Sequence, residues 1–356
     1  MKKPILFEVY PDLENSFAWL PLINKTEVHK LNYLGEYLGT DDLWIKRDDQ
    51  TTEIYGGNKP RKLEFLLADA DEKNKDPVIT IGGIGSNHCL ATAIFGQKLG
   101  FNVVLILFYQ PLTADVQKKL LLYQYFNSDM LYEETIKKEQ ALLKKYKTRY
   151  FITGGGSDQI GTIGFVNAAF ELKNQIEQGE MPVPKYIFTS VGSCGTFAGL
   201  EIGIRLANID TQIMGVRVTD KSVSGPVIVK SLIKKTLKNL KKGSEKIPDI
   251  KIEKSIITDD YFGGEYGKVT NKGREAVYLM KKYEDIQLDT TYTGKTCAAM
   301  IDFIKKKQFE GPVLFWNTYN SVDLSPFVSQ LKFENYQNLP EDFHQFFEKQ
   351  LFLLNE

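Results

Sequence analysis

The segment IYGGNKPRK, residues 54–62, sets a lysine, Lys59, directly after two glycines and an asparagine and directly before a helical run. An amine held in a partly desolvated pocket condenses with aldehydes, and glycines beside it let a planar cofactor come close to the backbone. Pro60 suits the first turn of a helix, where its missing N–H would have no partner. Leu63, Leu66, Leu67 and Ala70 then recur at helical spacing. The preceding WIKRDD, residues 44–49, reads as a short strand that breaks into a loop. The same local pattern also describes a solvated lysine in a first helical turn, because lysine is rarely buried.

Two further turns have types suited to anions. In IGSNH, Ser86 and Asn87 stand where a helix begins and its unpaired N–H groups face outward; serine and asparagine are equally the preferred caps of such a helix. In GSCGTFAGL, Gly192 and Gly195 permit a tight N–H-lined loop while Ser193 and Thr196 add hydroxyls at a helix start. That arrangement suits a phosphate monoester, and a tight connection between strand and helix is the alternative.

These turns need elements to hold them, and the chain alternates strand-like with helix-like segments, the pattern of parallel sheets covered by helices. PVITIGG (77–83), a helix over 87–99 ended by Gly100, and NVVLILF (102–108) form one βαβ unit. YIFTSV (186–191), a helix from Ala198 to Leu206 and TQIMGVRV (211–218) form another. The stretch 230–246 alternates lysines with Leu232, Ile233, Leu237 and Leu240 and reads as an exposed amphipathic helix of a larger domain. The C-terminal run with Phe343, Phe346, Phe347, Leu351 and Phe352 has helical spacing suited to covering a core or a subunit contact.

Composition is that of a soluble, enzyme-sized body: 356 residues, 42% hydrophobic and 25% charged. Lysine plus arginine equals aspartate plus glutamate at 45 each, so no global field favours nucleic acid or an anionic membrane. The start, MKKPILFEVY, is too short in apolar residues for a signal peptide, and no run reaches membrane-spanning length. Three cysteines, Cys89, Cys194 and Cys297, are scattered and odd in number, which points to a reducing, cytoplasmic setting. His29, His88 and His344 lie too far apart in sequence to suggest a metal site.

WIKRDD followed by GGNKPRKLEFLLADA resembles the signature of pyridoxal-phosphate enzymes related to the tryptophan synthase β subunit, in the branch of 1-aminocyclopropane-1-carboxylate deaminase and D-cysteine desulfhydrase. The likeness continues in order through GSNH (85–88), VGSCGTFAGL (191–200), EYG (265–267) and YTGK (292–295). It implies two open parallel-sheet α/β domains with helices on both faces and an active site in the interdomain cleft. Residues 1–60 and 169–356 would form the large domain and 61–168 a small inserted one.

By that resemblance pyridoxal 5'-phosphate is the cofactor and Lys59 its Schiff-base lysine. Ser86 would hold the substrate carboxylate and Asn87 the cofactor's phenolic oxygen, with His88 either assisting or packing. Gly192, Ser193, Cys194, Gly195 and Thr196 would hold the phosphate, Lys62 would be a second phosphate contact, and Tyr266 and Tyr292 would approach the substrate. Thr293 would face the pyridine nitrogen, where deaminases of the branch carry glutamate and desulfhydrase-like members threonine. A hydroxyl there gives a weaker electron sink than a carboxylate, so β elimination on a small amino acid, yielding a 2-oxo acid and ammonia, ranks above ring opening. Lyase and hydrolase are both expected class labels, and a homodimer is the expected assembly. Several residues depart from the branch: Cys194 replaces a glycine, TCAAM (296–300) replaces a glycine-containing stretch, Glu53 and Tyr55 replace smaller apolar residues, and at the pyridine end of the pocket Asn317, Tyr319 and Asn320 surround a retained Thr318, which by the resemblance would contact the cofactor. These departures keep a noncatalytic binding protein open as the reading from another class.

Overall fold

Runs of valine, isoleucine, leucine and phenylalanine, buried on both faces, favour parallel pairing, and the computed structural model is built on it. The structure describes residues 3–134, 146, 148–252, 255–306 and 310–348. Its strands in chain order are β1 (Val28–Lys30), β2 (Leu43–Lys46), β3 (Val78–Gly83), β4 (Val103–Phe108), β5 (Asp129–Tyr132), β6 (Tyr150–Ile152), β7 (Tyr186–Val191), β8 (Gln212–Arg217), β9 (Ile256–Thr258) and β10 (Val313–Trp316). They form a six-stranded sheet of order β1-β2-β10-β7-β8-β9 and a four-stranded sheet of order β5-β4-β3-β6. Among the described residues, β1 alone runs antiparallel, against β2.

The larger unit comprises the described residues up to Phe65 together with Ser157–Val322 and holds the six-stranded sheet. Side chains of a strand alternate between faces, and β10 shows the result: Leu314 and Trp316 enter one core while Val313 and Phe315 enter the other. Helices Ile163–Glu177 and Gly195–Leu206 cover the first face. They meet closely because Gly199 and Gly203 lack the side chains that would strike Phe165 and Ala169. Helices Asn271–Glu284 and Thr293–Lys305 cover the second face. The lysine-rich stretch is the helix Pro226–Gly243, whose Val229, Leu232, Ile233 and Leu240 are buried against the first core.

The smaller unit comprises Leu66–Gly156 and the described residues from Asp323 onward. Its sheet buries Ile79, Val104 and Ile106, and helices Asn87–Lys98 and Ala114–Tyr125 follow β3 and β4. The C-terminal segment, expected with the large domain, is instead tied to the helix Ala114–Tyr125. Gln117 donates to the Phe346 carbonyl and Gln124 to that of Asn338, and Phe343 and Phe346 meet Tyr132 edge to face. Leu351 and Phe352 of the expected apolar run lie outside the described residues. Residues 61–65 and 157–168, expected in the inserted domain, belong to the larger unit because Arg61, Phe65 and Phe165 are fully buried within it. Among the described residues, no helix is long and apolar enough to cross a membrane.

Candidate active site

Lys59 opens the helix Lys59–Glu72 and is half-buried. The loop before it is fixed from several sides: Gly57 N–H donates to the Asp48 carbonyl at 2.7 Å, Asn58 N–H to the Thr318 carbonyl at 3.2 Å, and Gly56 N–H to Asn320 Oδ1 at 2.6 Å. Gly57 takes φ +90°, and a Cβ on it would stand 3.0 Å from the Thr318 oxygen, so the turn requires glycine there. Thr318 thus meets the Lys59 loop through its backbone carbonyl, and Asn320, one of the departures, braces the same loop.

The glycine-rich turn after β7 reaches this loop through Asn58, whose Nδ2 donates to Thr196 Oγ1 at 2.9 Å. One helical turn beyond Lys59, the fully buried Lys62 donates from Nζ to Ser157 Oγ at 2.9 Å. Gly195 N–H donates to the same oxygen at 3.1 Å, and Ser193 Oγ lies 2.7 Å from it. A Cβ on Gly195 would stand 2.8 Å from Lys62 Nζ and 2.6 Å from Ser157 Oγ, so only glycine leaves this space open. An ammonium, a helix N-terminal N–H and the Ser193 hydroxyl gathered around the Ser157 hydroxyl form the donor set that a phosphate monoester accepts from. The residues present therefore fit the phosphate of pyridoxal phosphate. Ser157 was not among the expected residues; its signal is the run GGGSD at 154–158, a second glycine-opened turn carrying a hydroxyl.

The electrostatics agree with an anion-accepting site. Burial, reinforced by the charge of Lys59, pulls the Lys62 ammonium well below its ordinary pKa, so an anion beside it restores its charge. Cys194 occupies the left-handed region at φ +72° as the residue before the helix Gly195–Leu206. That conformation costs a non-glycine residue roughly 1–2 kcal/mol. Its thiol, pushed up to about 11 by burial, points to the Val223 carbonyl at 3.6 Å. It is a neutral packing group at pH 7.

Tyr266 and Tyr292 are brought together, hydroxyl to hydroxyl. A Cβ on Gly192 would stand 3.4 Å from the Tyr292 ring, which places this phenol beside the glycine-rich turn. Burial first, then Tyr266, Asp289 and Tyr55, hold the Tyr292 phenol well above its usual pKa, so it keeps its proton and can donate it. Asp289, missed in the sequence, organises the start of this helix: its carboxylate accepts from the N–H of Thr291, Tyr292 and Thr293 at 2.8–2.9 Å and from Thr293 Oγ1 at 2.6 Å. The hydroxyl of Thr293 is thereby committed as a donor to Asp289. The signal was present as an aspartate just ahead of a helix, the ordinary place for a capping side chain.

In the smaller unit, Ser86 caps the helix Asn87–Lys98, its Oγ accepting from Cys89 N–H at 3.2 Å. Tyr123 Oη and Lys119 Nζ hold the carbonyls of Ser86 and Gly85. His88 is buried with Nε2 2.9 Å from Thr80 Oγ1. Thr80 Oγ1 also reaches the Ile152 carbonyl, at 3.0 Å.

An open parallel α/β fold that presents a lysine at a glycine-opened helix start beside a phosphate-suited donor set defines an enzyme of the pyridoxal-phosphate class. The family model described as pyridoxal-phosphate dependent enzyme matches residues 20–318, and the chain belongs to that family. It is 33% identical to the D-cysteine desulfhydrase of Serratia proteamaculans (strain 568), across 90% of this chain and all of that one. A crystal structure of an ACC deaminase homologue superimposes with a TM-score of 0.75 at 30% identity, covering 89% of this chain and 95% of that one. The processed threonine deaminase isoform 2 of Solanum lycopersicum, at 17% identity and a TM-score of 0.61, covers 93% of this chain and 95% of its own and shares the fold. The chain is a pyridoxal-phosphate-dependent lyase of the deaminating kind. The hydrolase label expected beside lyase is withdrawn, because the relatives are desulfhydrases and deaminases within that cofactor family.

Lys62→Met is expected to weaken binding of pyridoxal 5'-phosphate by roughly 10–100-fold, the loss of one charge-assisted hydrogen bond. It should leave binding of unphosphorylated pyridoxal nearly unchanged. Fluorescence titration with the two compounds measures the difference, and equal losses for both would remove Lys62 from the phosphate site.

Proposed function

We propose that this enzyme carries out β elimination on a small amino acid of the D-cysteine type, releasing hydrosulfide, a 2-oxo acid and ammonia. Pyridoxal phosphate, when bound, supplies an aldehyde and an electron sink. Lys59 Nζ is the covalent anchor for that aldehyde and, once the substrate amine has displaced it, the base that takes the proton from the substrate Cα. Lys62, Ser193, Gly195 and Thr196, with Gly192 and Cys194 shaping the turn, hold the phosphate. Tyr292, kept protonated and paired with Tyr266, is the proton donor placed next to this turn.

The observation that carries the reading is the gathering of Lys62, Gly195 and Ser193 around the Ser157 hydroxyl, with Lys62 one helical turn from Lys59. Elimination rather than ring opening is supported by Thr293, a hydroxyl residue at the position where the resemblance gives ring-opening enzymes a carboxylate. The 33% identity to a desulfhydrase supports the same choice. For Ser86 and Asn87 the proposed roles are those of the resemblance, contacts to the substrate carboxylate and to the cofactor's phenolic oxygen. Thr318 is proposed to act through its hold on the Lys59 loop. Three buried free cysteines support a cytoplasmic setting, and a homodimer is the proposed assembly.

The deciding experiment offers D-cysteine and 1-aminocyclopropane-1-carboxylate separately to the cofactor-loaded enzyme. Pyruvate and sulfide from the first are expected, with little 2-oxobutanoate from the second. Release of 2-oxobutanoate with no pyruvate would reverse the assignment to ring opening, and no product from either would point to another substrate or to a binding protein.

A further inference from the structure

The YTGK motif contains a lysine, Lys295, that the proposed reaction does not use and whose position calls for a role. It is fully buried in the first turn of the helix Thr293–Lys305. Its Nζ donates to the Phe262 carbonyl at 2.7 Å and lies 5.6 Å from the centre of the Phe262 ring. Phe262 belongs to the loop 259–267 that carries Tyr266. The same helix holds this loop a second time, through Asp302, which accepts from Tyr261 Oη at 2.8 Å. Beyond Phe262 the chain runs through Gly263 and Gly264 at φ +82° and +89° and, after Tyr266, through Gly267 at +80°. Glycines resist conformational change least, so the position of Tyr266 depends on where the chain is held at Phe262.

We propose that Lys295 is a positioning residue for the tyrosine pair: by holding the Phe262 carbonyl it fixes the loop 259–267 on the helix that begins with Thr293, and so brings the Tyr266 hydroxyl to Tyr292. This rests on the reading that the two tyrosines serve the active site. Lys295 is suited to the task because a buried ammonium on a carbonyl makes a stronger bond than a neutral donor.

The charged groups around the contact leave that ammonium little other support. Asp289, just ahead of its own helix, favours the charged form. Asp302, two turns along, is engaged by Tyr261 and by Lys272 of the helix Asn271–Glu284. That helix otherwise turns the backbone of Gly273 toward the lysine stem. On the loop itself Asp259 pairs with Arg217 and Lys221, and Asp260 and Glu265 are its remaining acids. Burial, opposed by Asp289, pulls Lys295 down to about 8. The tether is therefore a charged one below that pH and a weaker neutral one above it.

The test uses the cofactor-loaded enzyme and the variants Lys295→Met and Lys295→Gln, the second retaining a neutral donor. Hydrogen–deuterium exchange read by mass spectrometry should rise several-fold in peptides covering 259–267 of Lys295→Met and stay unchanged in the sheet. Turnover should fall on the order of 10–100-fold in kcat with a smaller change in KM, the cost of misplacing a reacting group by about 1 Å. The native enzyme should lose kcat as pH rises through about 8, and Lys295→Gln should lack that alkaline limb. Unchanged loop protection in both variants overturns the proposal, as does an alkaline limb that persists in Lys295→Gln. If Lys295→Met does not fold, Lys295→Gln carries both measurements. Should no amino acid be turned over at all, the proposed function fails while the exchange measurement still decides whether Lys295 tethers the loop.

Discussion

Lys59→Ala is expected to lower turnover of D-cysteine by roughly 10³–10⁴-fold and to leave the protein folded. The size follows from the two tasks assigned to one atom. Without Nζ there is no amine to anchor the aldehyde and no base to take the substrate Cα proton, whereas Lys62, Ser193 and Gly195, the donors proposed to hold the phosphate, are untouched. The variant should therefore still bind pyridoxal 5'-phosphate, reversibly and without the visible absorbance of the covalently held form. Lys59→Arg sharpens the test, because a guanidinium keeps the charge but is neither a nucleophile nor a base at neutral pH. It should lose as much activity as the alanine variant. Stability should change little in either, since Lys59 is only half-buried. Full turnover together with retained cofactor absorbance in Lys59→Ala would show that another residue carries the chemistry.

The parts of this molecule legible in the sequence were those governed by local physics. The strand YIFTSV was expected at 186–191 and β7 occupies those residues, because a run of apolar and β-branched residues ends at Gly192. The helix expected from Ala198 starts three residues earlier at Gly195, since a glycine-rich stretch that reads as loop is wound into the helix once its N–H groups are needed as donors. Tyr266 and Tyr292 were singled out, and the structure brings their hydroxyls together. What stayed hidden depends on contacts between distant segments. Ser157 lies 95 residues from Lys62 in the chain, and nothing in GGGSD says which amine it will meet. Asp289 was passed over because a capping aspartate is ordinary, and its reach to the Thr293 hydroxyl appears only when the helix is built. The C-terminal phenylalanines announced an apolar face but not its partner, Tyr132 of the smaller unit.

Arg61→Ala should destabilise the fold by about 3–5 kcal/mol, the range for breaking a buried ion pair from one side. Arg61 is fully buried, two residues after Lys59, with its guanidinium 2.7 Å from Asp48 Oδ1 and 2.9 Å from Glu171 Oε1. Lys46 completes the group at 2.5 Å from Glu171, so two cations face two carboxylates. The remaining oxygen lone pairs are taken up by Thr26 and by Trp316, whose Nε1 donates to Asp48 Oδ2 at 2.6 Å. Removing Arg61 leaves one carboxylate uncompensated in the core beneath the Lys59 loop. The backbone is held as tightly, since a Cβ on Gly164 would stand 1.9 Å from the Arg61 carbonyl oxygen.

The pH dependence gives this variant a second signature. Burial pushes Glu171 up, but Arg61 and Lys46 overcome it and hold the carboxyl well below the usual carboxylate range. A depressed carboxylate stabilises the fold above its unfolded pKa, about 4.3, and that stabilisation disappears as pH falls. The native protein should therefore lose stability steeply below about pH 4, and Arg61→Ala, lacking the largest cause of the depression, should lose less. The difference between the two in urea unfolding should be greatest at pH 7 and narrow in acid. Arg61→Ala paired with Asp48→Asn should recover part of the loss, because the second change removes a charge that the first left unpaired. Unfolding free energies within about 1 kcal/mol of one another at pH 7 would contradict the assignment, for they would mean that water or a backbone shift replaces the guanidinium and that this charge cluster does not hold the base of the Lys59 helix.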